Sequence, residues 1–334
     1  MDQNPPVLPT PAPHEQDGTP GLPTCAVVIC AYTDERWDDT LRAVDSVQAQ
    51  RPAPYDLILV VDHNPELQTR LAAQLPGVRV VANSNERGLS GARNTGVELT
   101  DADVVVFLDD DAAAQPGWLE GLARHYSDPN VLGVGGRIDP LWATERPEWW
   151  PPEFDWVVGC NYTGQHAGVV RNLIGANASF RRELFADGGF VTGIGRSATV
   201  QRPVGCEETE FCIRAGQARP NGIFLYDDQA PVVHRVPAAR QSFAYFRSRC
   251  YSEGLSKAQV TESVGVGTGL ASEWTYSTVT LPLGVLRGLG RAVRGDWAGL
   301  QTATVIVIGL AYTTVGYVVG VLSGLRGRLG GGLR

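Results

Sequence analysis

The chain has 334 residues, of which 43% are hydrophobic, enough to build one large domain or two modest ones. Its formal net charge of −8 excludes a basic footprint for nucleic acid over the chain as a whole. Only one of its 28 basic residues is a lysine, an arginine bias that is typical of a GC-rich bacterial genome. Six cysteines without zinc spacing indicate small buried side chains in a reducing cytosol.

The N-terminal arm, residues 1–24, is rich in proline and almost lacks large apolar side chains. Such a composition cannot bury enough surface to offset the entropy of ordering, so we expect the arm to be disordered. The arm has neither a positive n-region nor an apolar h-region, and we therefore expect no signal peptide.

After the arm, apolar strands alternate with amphipathic helices. Strands are predicted at 25–32, 57–61, 78–81 and 104–108, with helices after residue 38, over 66–75 and over 91–99. Nearly continuous apolar strands joined by helices are typical of an α/β fold, in which a mostly parallel sheet is covered on both faces. The first strand is followed by neither a Gly-x-Gly-x-x-Gly turn nor a Walker loop, which disfavours dinucleotide and P-loop sites.

The second half of the chain changes character. Residues 139–156 combine four tryptophans with several prolines, the composition of an ordered surface loop with aromatic anchors. Trp149 and Trp150 can stack on a sugar or a lipid-linked acceptor, or the loop can be a lid packed on the core. Short strands are expected up to His234, followed by a helix over roughly 238–260.

A segment of twenty residues near the C-terminus, 303–322, carries no charge. About twenty apolar residues can span a bilayer, although Thr, Gly and Tyr dilute this segment. Six arginines flank it between residue 287 and the end, and basic flanks on both sides do not fix an orientation. The segment can span a membrane, lie on an anionic leaflet or form a buried helix pair, and of these we favour membrane association.

Three adjacent acids, Asp109, Asp110 and Asp111, follow the apolar strand that ends at Leu108. Neighbouring carboxylates repel one another and are costly to bury, a cost that a hard cation removes. Carboxylate oxygens are the ligands that Mg²⁺ and Mn²⁺ prefer, and ligands of open α/β sheets bind beyond the carboxyl ends of the strands. We therefore favour a divalent metal site over an Asp-rich turn that caps the next helix.

Other polar residues follow the same ends of the predicted strands. Asp62 and the turn at 32–34 are expected to converge on the crevice beside the three acids. The Gly-containing loop at 85–94 offers backbone amides and two guanidinium groups to a phosphate, or is an ordinary helix start with surface arginines.

A second acidic cluster, Glu207, Glu208 and Glu210, precedes an apolar helix. One acid at a helix start is ordinary dipole complementation, whereas three suggest that one of them is a general base. Both interpretations stay open on the residues alone.

Taken in order, these motifs resemble the inverting family-2 glycosyltransferases with the GT-A fold, over about residues 25–235. The strand into Ala31-Tyr32-Thr33 resembles the family's first nucleotide-contacting turn, and Val60-Val61-Asp62 resembles the strand whose Asp meets the base. The stretch at 87–96 is similar to the family's Gly-x-x-x-Ala-Arg-Asn-x-Gly pattern. Residues 107–111 resemble its metal motif, in which the last acid usually ligates the cation.

Later motifs extend the resemblance. Gly175-Ala176-Asn177 and Arg181-Arg182 match the segment near the donor sugar and the acceptor. Residues 207–210 resemble the family's Glu-Asp-x-Asp motif, whose second position is the catalytic base. That position is Glu208, and because Glu replaces the expected Asp, either Glu208 or Glu207 can take the proton.

The resemblance implies a role for each matching residue. It assigns catalysis to Glu208 and Glu207. It assigns metal binding to Asp111, Asp109 and His234, although a structural role is an alternative for His234. The residues assigned to binding of the nucleotide sugar are Ala31, Tyr32, Asp34, Asp62, Arg87, Gly88, Arg93, Asn94, Asp109 and Asp110. Those assigned to binding of the acceptor or the transferred sugar are Asn177, Arg181, Glu210, Trp149 and Trp150.

The implied fold is GT-A, a mostly parallel Rossmann-like sheet flanked by helices with a C-terminal helical and apolar extension. The expected domains are a disordered arm at 1–24, a GT-A domain at 25–236, a helical extension at 237–286 and a basic, apolar membrane-associating segment at 287–334. The expected location is the cytoplasmic face of the plasma membrane, peripheral or with a single span, or else the cytoplasm.

The implied activity is transfer from a nucleotide-diphosphate sugar, first of all a UDP-sugar, to a hydroxyl of a lipid-linked, cell-envelope or small-molecule acceptor. Mg²⁺ or Mn²⁺ neutralises the leaving diphosphate while the base removes the acceptor proton in a single inverting displacement. One alternative is a nucleotidyltransferase, which would need a lysine-containing phosphate loop after the first strand. The other is a non-catalytic sugar-binding relative.

Overall fold

The computed structural model describes residues 21–192, 207–264 and 274–331. Most of the predicted N-terminal arm and Cys206 lie outside the described residues. The five described cysteines are free, and four of them are buried, as the sequence predicted.

Nine strands form one sheet within the described part of the chain. The strands are β1 Cys25–Ala31, β2 Asp56–Val61, β3 Arg79–Ala82, β4 Val104–Asp109, β5 Ala112–Ala114, β6 Val131–Trp142, β7 Gly168–Val170, β8 Asn177–Arg181 and β9 Ile223–Val236. Their order is β3-β2-β1-β4-β8-β6-β9-β5, with β7 paired to β9.

The sheet divides into a parallel half and a mixed half. Strands β3, β2, β1 and β4 are parallel, as the alternation of strands and helices predicted. Strand β8 is antiparallel to both β4 and β6, whereas β6 and β9 are parallel to each other. The expectation of a mostly parallel sheet is therefore confirmed for the N-terminal half, and the antiparallel strands β7 and β8 make the whole sheet mixed. The expectation of short strands up to His234 is wrong for β6 and β9, which have 12 and 14 residues.

Helices cover both faces of the sheet and extend beyond it. The helices are α1 Trp37–Gln48, α2 Pro65–Gln74, α3 Leu89–Glu98, α4 Trp118–Ala123, α5 Glu207–Ala218, α6 Phe243–Val264, α7 Leu281–Val293 and α8 Ala298–Gly331. Those over the first half follow the predicted positions within a few residues, and α6 is the helix predicted after His234.

The central strand β4 separates two hydrophobic cores. Val104, Val106 and Leu108 face the core that contains α1, α2 and α4, whereas Val105 and Phe107 face the core beneath α3 and α5. Side chains alternate along a strand, so a strand buried on both faces is apolar at every position. Each fully buried Val, Leu or Phe favours folding by about 1.5–3 kcal/mol relative to exposure.

The C-terminal helices form a separate layer on the α6 side. Helix α8 packs against α6 and α7. Its segment Ala298–Ser323 is long and apolar enough to cross a membrane, with a mean hydropathy of 2.1, and 22% of its apolar window is buried in the protein. The alternative of a buried helix pair therefore holds only for the face of α8 that packs against α6 and α7.

Candidate active site

The three adjacent aspartates at the end of β4 have different partners. Asp109 is the last residue of β4, and its side chain is 30% exposed and lies beside Arg93 of α3. Asp110, in the turn that follows, is buried and forms an ion pair with Arg36, Nη1 to Oδ1, at 2.5 Å. Asp109 and Asp110 are thus held by arginines from different elements.

Asp109, Asp111 and His234 form a cluster that can hold a metal ion. One ligand atom of each lies within 4.8 Å of the others. The pairing of β5 with β9 sets Ala112 opposite His234, which brings Asp111, the preceding residue, to 3.1 Å from the imidazole Nε2. The antiparallel pairing of β5 with β9 therefore joins residues that lie far apart in the chain.

The chemistry of this cluster fits a divalent cation. Asp111 Oδ1 is buried without a hydrogen-bond partner among the described residues, although it faces His234. Burial alone would raise the pKa of Asp111, but His234 and Arg36 outweigh burial and hold that pKa well below its usual range. An ionised carboxylate beside an imidazole nitrogen is a donor set for Mn²⁺ or Mg²⁺.

Arg36 is a site residue that the sequence analysis missed. It lies in the turn after β1 and contacts two of the three aspartates, Asp110 at 2.5 Å and Asp111, Nη2 to Oδ2, at 3.1 Å. Its guanidinium carbon also lies 5.6 Å from the centre of the exposed Tyr32 ring. The same turn contains Asp34, which pairs with Arg70 of α2 instead of entering the crevice.

Arg93 joins the first acidic cluster to the second. This buried residue of α3 donates from Nη1 to Glu208 Oε1 at 2.6 Å, and its Nη2 lies 3.4 Å from Asp109 Oδ1. Nη1 is also 3.8 Å from Glu207 Oε1. The resemblance assigns Arg93 to the nucleotide, and in the structure its ion-pair partners are the two candidate bases and a candidate metal ligand.

Gly175 supports this bridge because it has no side chain. A Cβ at position 175 would lie 1.8 Å from Glu208 Oε1 and 2.5 Å from Arg93 Nη2. Neither separation is possible between real atoms, so any larger residue must displace the carboxylate or the guanidinium. Of the stretch at 175–177, Gly175 and Ala176 line the cavity, and Asn177 does not.

Asp62 is bonded to the loop before α3. Asp62 accepts hydrogen bonds from Asn83 Nδ2 at 2.7 Å and from the Gly88 amide at 3.0 Å. The Asp62 amide in turn donates to the Ala31 carbonyl at 2.8 Å, which ties the ends of β1 and β2 together. Arg87 is exposed in this loop.

Asn94 has a supporting position. Its Nδ2 donates to the Phe190 carbonyl and its Oδ1 accepts from the Phe190 amide, both at 2.9 Å. Both polar atoms of the Asn94 side chain are therefore bonded to the backbone of Phe190.

The structure does not bring Asn177, Arg181 or Glu210 to the crevice. Asn177 is fully buried, and its Nδ2 donates to the carbonyls of Arg137 and Ala230 inside the sheet. Arg181 lies opposite Val104, at the far end of β4 from Asp109. Glu210 pairs with Arg214 one helical turn later, at 2.8 Å.

Trp150 is part of the core and Trp149 is partly buried against it, so neither lines the cavity, contrary to their assignment to the acceptor. Trp150 is 2% exposed and donates from Nε1 to Asp155 Oδ1 at 3.1 Å. The Trp149 ring packs on Phe243 and Phe246 of α6, with centroids 5.6 and 5.9 Å apart. The alternative of a lid packed on the core is therefore the one observed, and Trp156 is the tryptophan of this loop that lines the cavity.

A single cavity of about 1100 Å³ contains both acidic clusters. Its lining includes Asp109 and Asp111, Arg36 and Arg93, His234, and the carboxylates Glu207 and Glu208. Glu208 is the more accessible of the two candidate bases, with a side chain 16% exposed against 5% for Glu207. A metal-binding cluster and an ionisable carboxylate thus face one space.

Two solved structures resemble the fold. A mannosyltransferase from Pyrobaculum calidifontis, in complex with GDP-Man and Mn²⁺, has a TM-score of 0.52 at 17% identity, over 90% of this chain and 88% of that one. GalNAc-T7 with UDP, GalNAc and Mn²⁺ also gives 0.52 at 17% identity, over 77% of this chain and 54% of that one. The fold is therefore of the GT-A glycosyltransferase type.

Sequence comparison identifies the family. The Glycosyl transferase family 2 profile matches residues 26–189. The glucosyl-dolichyl phosphate glucuronosyltransferase of Haloferax volcanii is 37% identical over 239 residues, which cover 70% of this chain and 75% of that protein. The chain belongs to glycosyl transferase family 2 and is an enzyme of that class. The matched relative is archaeal and gives no support to the expected bacterial source.

Proposed function

We propose that this enzyme transfers a sugar from a nucleotide-diphosphate sugar to a hydroxyl of a lipid-linked acceptor, with inversion at the anomeric carbon. The observation that carries the proposal is the shared cavity of the Asp109–Asp111–His234 cluster and Glu208, connected through Arg93. A UDP-sugar is the first candidate donor.

The proposed reaction is a single displacement. Glu208 accepts the proton of the acceptor hydroxyl as that oxygen forms a bond to the anomeric carbon. The bond from the anomeric carbon to the diphosphate breaks, and its electron pair leaves with the diphosphate oxygen. Arg93 holds the Glu208 carboxylate in position, and Arg36 orients Asp110 and Asp111.

Asp109, Asp111 and His234 would hold the divalent cation, which supplies positive charge to the leaving diphosphate when it is bound. An imidazole in the donor set favours Mn²⁺ over the harder Mg²⁺. The Mn²⁺ named with both structural neighbours supports the same choice.

A lipid-linked acceptor and a membrane location are supported by two features. The relative from Haloferax volcanii is named for a dolichyl phosphate glycoside. In this chain, α7 and α8 present large apolar side chains to the exterior, among them Leu286 at 62% and Val307 at 58% exposed. We infer that this apolar face holds the enzyme at the cytoplasmic surface of a membrane, where it has access to cytosolic nucleotide sugars.

The proposal is tested by replacing the base. Glu208→Gln keeps the size and the hydrogen-bond capacity of the side chain but cannot accept the proton, so we expect kcat to fall roughly a thousandfold. Glu207→Gln separates the two candidates, and Glu210→Gln is the matched control because Glu210 pairs with Arg214 away from the cavity. Nucleotide release and product formation are measured together, with circular dichroism as the check on folding. Near-normal turnover of Glu208→Gln would exclude it as the base.

A further inference from the structure

The cavity does not end at the acidic clusters. Beyond Glu208 it continues along α6, where Tyr245, Arg249, Glu253 and Lys257 line it. These four residues are spaced four apart, so they form one stripe on the helix surface. We call them the α6 stripe; its two cations are eight residues apart, or roughly 12 Å along the helix axis.

Helix α8, which packs against α6, forms a second wall of this part of the cavity. Leu310, Thr313, Thr314 and Tyr317 line it. The two threonine hydroxyls donate back to carbonyls of their own helix, at 3.0 and 2.8 Å, so their donors are already used. The wall beside the α6 stripe is therefore largely apolar.

The described side chains that line this part of the cavity carry more positive than negative charge, in contrast to the chain as a whole. They include Arg249, Lys257 and the acid Glu253, whose Oε1 lies 3.6 Å from Lys257 Nζ. Arg240, in the turn before α6, also lines the cavity. Basic side chains that are partly screened from water bind phosphate oxygens more strongly than exposed ones do.

This positive part of the cavity adjoins the catalytic part of the cavity and the apolar outer face of α8. On one side lies the catalytic cavity, because the same lining includes Glu208 and His234. On the other side, α8 turns outward its exposed apolar residues, such as Val315 and Val318. A ligand that extends along α6 can therefore have its reacting end near Glu208 and an apolar end at the outer face of α8.

We infer that the α6 stripe is the acceptor subsite for the phosphate of a lipid-linked acceptor. The phosphate binds Arg249 and Lys257, its apolar chain lies against α8, and its sugar hydroxyl is directed towards Glu208. This assignment rests on the proposed function, and it gives the acceptor a phosphate site distinct from the cluster assigned to the donor diphosphate.

The test measures binding by the full chain in detergent micelles. Farnesyl phosphate and farnesol, which differ only in the phosphate, are titrated by calorimetry into the wild type and into the double variant Arg249→Gln, Lys257→Gln. We expect the wild type to bind farnesyl phosphate at least about tenfold more tightly, since one charge-assisted contact corresponds to roughly that factor. The double variant is expected to bind both probes alike.

Two further variants keep the result interpretable. Arg247→Gln removes a cation from the same helix at an exposed position that stacks on Phe243 and Tyr312, and it should keep the phosphate preference. The double variant Arg249→Lys, Lys257→Arg retains both charges and should retain most of that preference. Circular dichroism checks that each variant is folded.

Several outcomes would overturn the subsite. Equal binding of the two probes by the wild type would exclude a phosphate site, and equal competition by inorganic phosphate or phosphatidylglycerol would make the site a general anion site. A loss of affinity for UDP with Mn²⁺ in the glutamine variant would assign the stripe to the donor. A sugar-transfer assay distinguishes the two proposals. If the enzyme transfers sugar to an uncharged prenyl glucoside as well as to a phosphate-containing acceptor, the subsite alone is overturned. If it transfers sugar to no acceptor, the proposed function is overturned.

Discussion

At the scale of single residues, the site is organised by two buried or half-buried arginines rather than by its acids. Arg93 contacts Glu208 and Asp109, and Arg36 contacts Asp110 and Asp111. Five carboxylates close together would repel one another, and each guanidinium lowers that repulsion while fixing two side chains in place. The acids could be found from the sequence by their clustering, but Arg36 could not, because a lone arginine after a strand carries no such signal.

Gly175→Ala tests how tightly the base is held. The added methyl group cannot coexist with the present positions of Glu208 and Arg93, so we expect a loss of at least tenfold in kcat/KM with the fold retained. The readout is steady-state kinetics together with a thermal melt. Gly77→Ala is the control, since its Cβ would meet no atom within 4 Å. Unchanged kinetics in Gly175→Ala would show that the Glu208–Arg93 contact is not needed for turnover.

At the scale of elements, the contact between α6 and α8 is made by glycines. A Cβ on Gly254 of α6 would lie 2.1 Å from the Thr313 carbonyl oxygen, and one on Gly316 of α8 would lie 2.1 Å from that of Tyr251. Small residues allow two helix backbones to approach closely, a pattern common between helices in membranes. Removing α8 would also uncover Phe154 and Phe246, against which Gly309 packs. Deleting residues 287–334 is therefore a less clean test of membrane binding than changing the exposed face.

We expect the exposed face of α7 to bind the membrane. Leu283, Leu286 and Leu289 are 52%, 62% and 42% exposed, so the triple change to Gln removes apolar surface without opening the core. Burying one such side chain in a bilayer contributes about 1.5–3 kcal/mol, and the triple variant should move largely to the soluble fraction on sedimentation with vesicles. Leu141→Gln, which changes a leucine 46% exposed elsewhere, should leave sedimentation unchanged. Equal sedimentation of the triple variant would exclude this face.

At the scale of the whole molecule, the mixed sheet brings two distant segments of the chain to one metal cluster. Asp109 and Asp111 come from the end of the parallel half, whereas His234 comes from β9, more than a hundred residues later. Ligands that only the folded state assembles link metal binding to folding.

We therefore expect Mn²⁺ to raise the melting temperature. A ligand at a hundred times its Kd stabilises the folded state by about 2.7 kcal/mol, which corresponds to a rise of roughly 4 °C in a chain of this size. Differential scanning fluorimetry with Mn²⁺, Mg²⁺ and EDTA measures the shift. Asp111→Asn should abolish it, and Asp187→Asn, which changes an exposed acid paired with Arg219, should not. An equal shift in both variants would place the metal elsewhere.

Periodicity and motif order allowed the sequence to predict the strand–helix alternation of the first half, the three acids at the end of β4 and the two glutamates at the start of α5. These features are local, since each depends on a pattern of neighbouring side chains. The same reasoning placed Asn177 and Arg181 in the site because they lie in a matching segment. Which side of a strand or which end of a sheet a residue occupies depends on pairing with distant strands.

What the sequence determined by itself was the clustering of acids at two places in the chain, and from it the prediction of a divalent cation and a carboxylate base, because clustered acids are costly anywhere else. What only the tertiary structure decided was the set of partners: Arg36 and Arg93 between the acids, His234 beside Asp111, and Trp150 inside the core with Trp149 packed on it. Burial and strand pairing set these contacts, and both are properties of the folded sheet rather than of any local run of residues. The same holds for Asp109 and Asp110, since the arginine beside each of these neighbouring acids comes from another element.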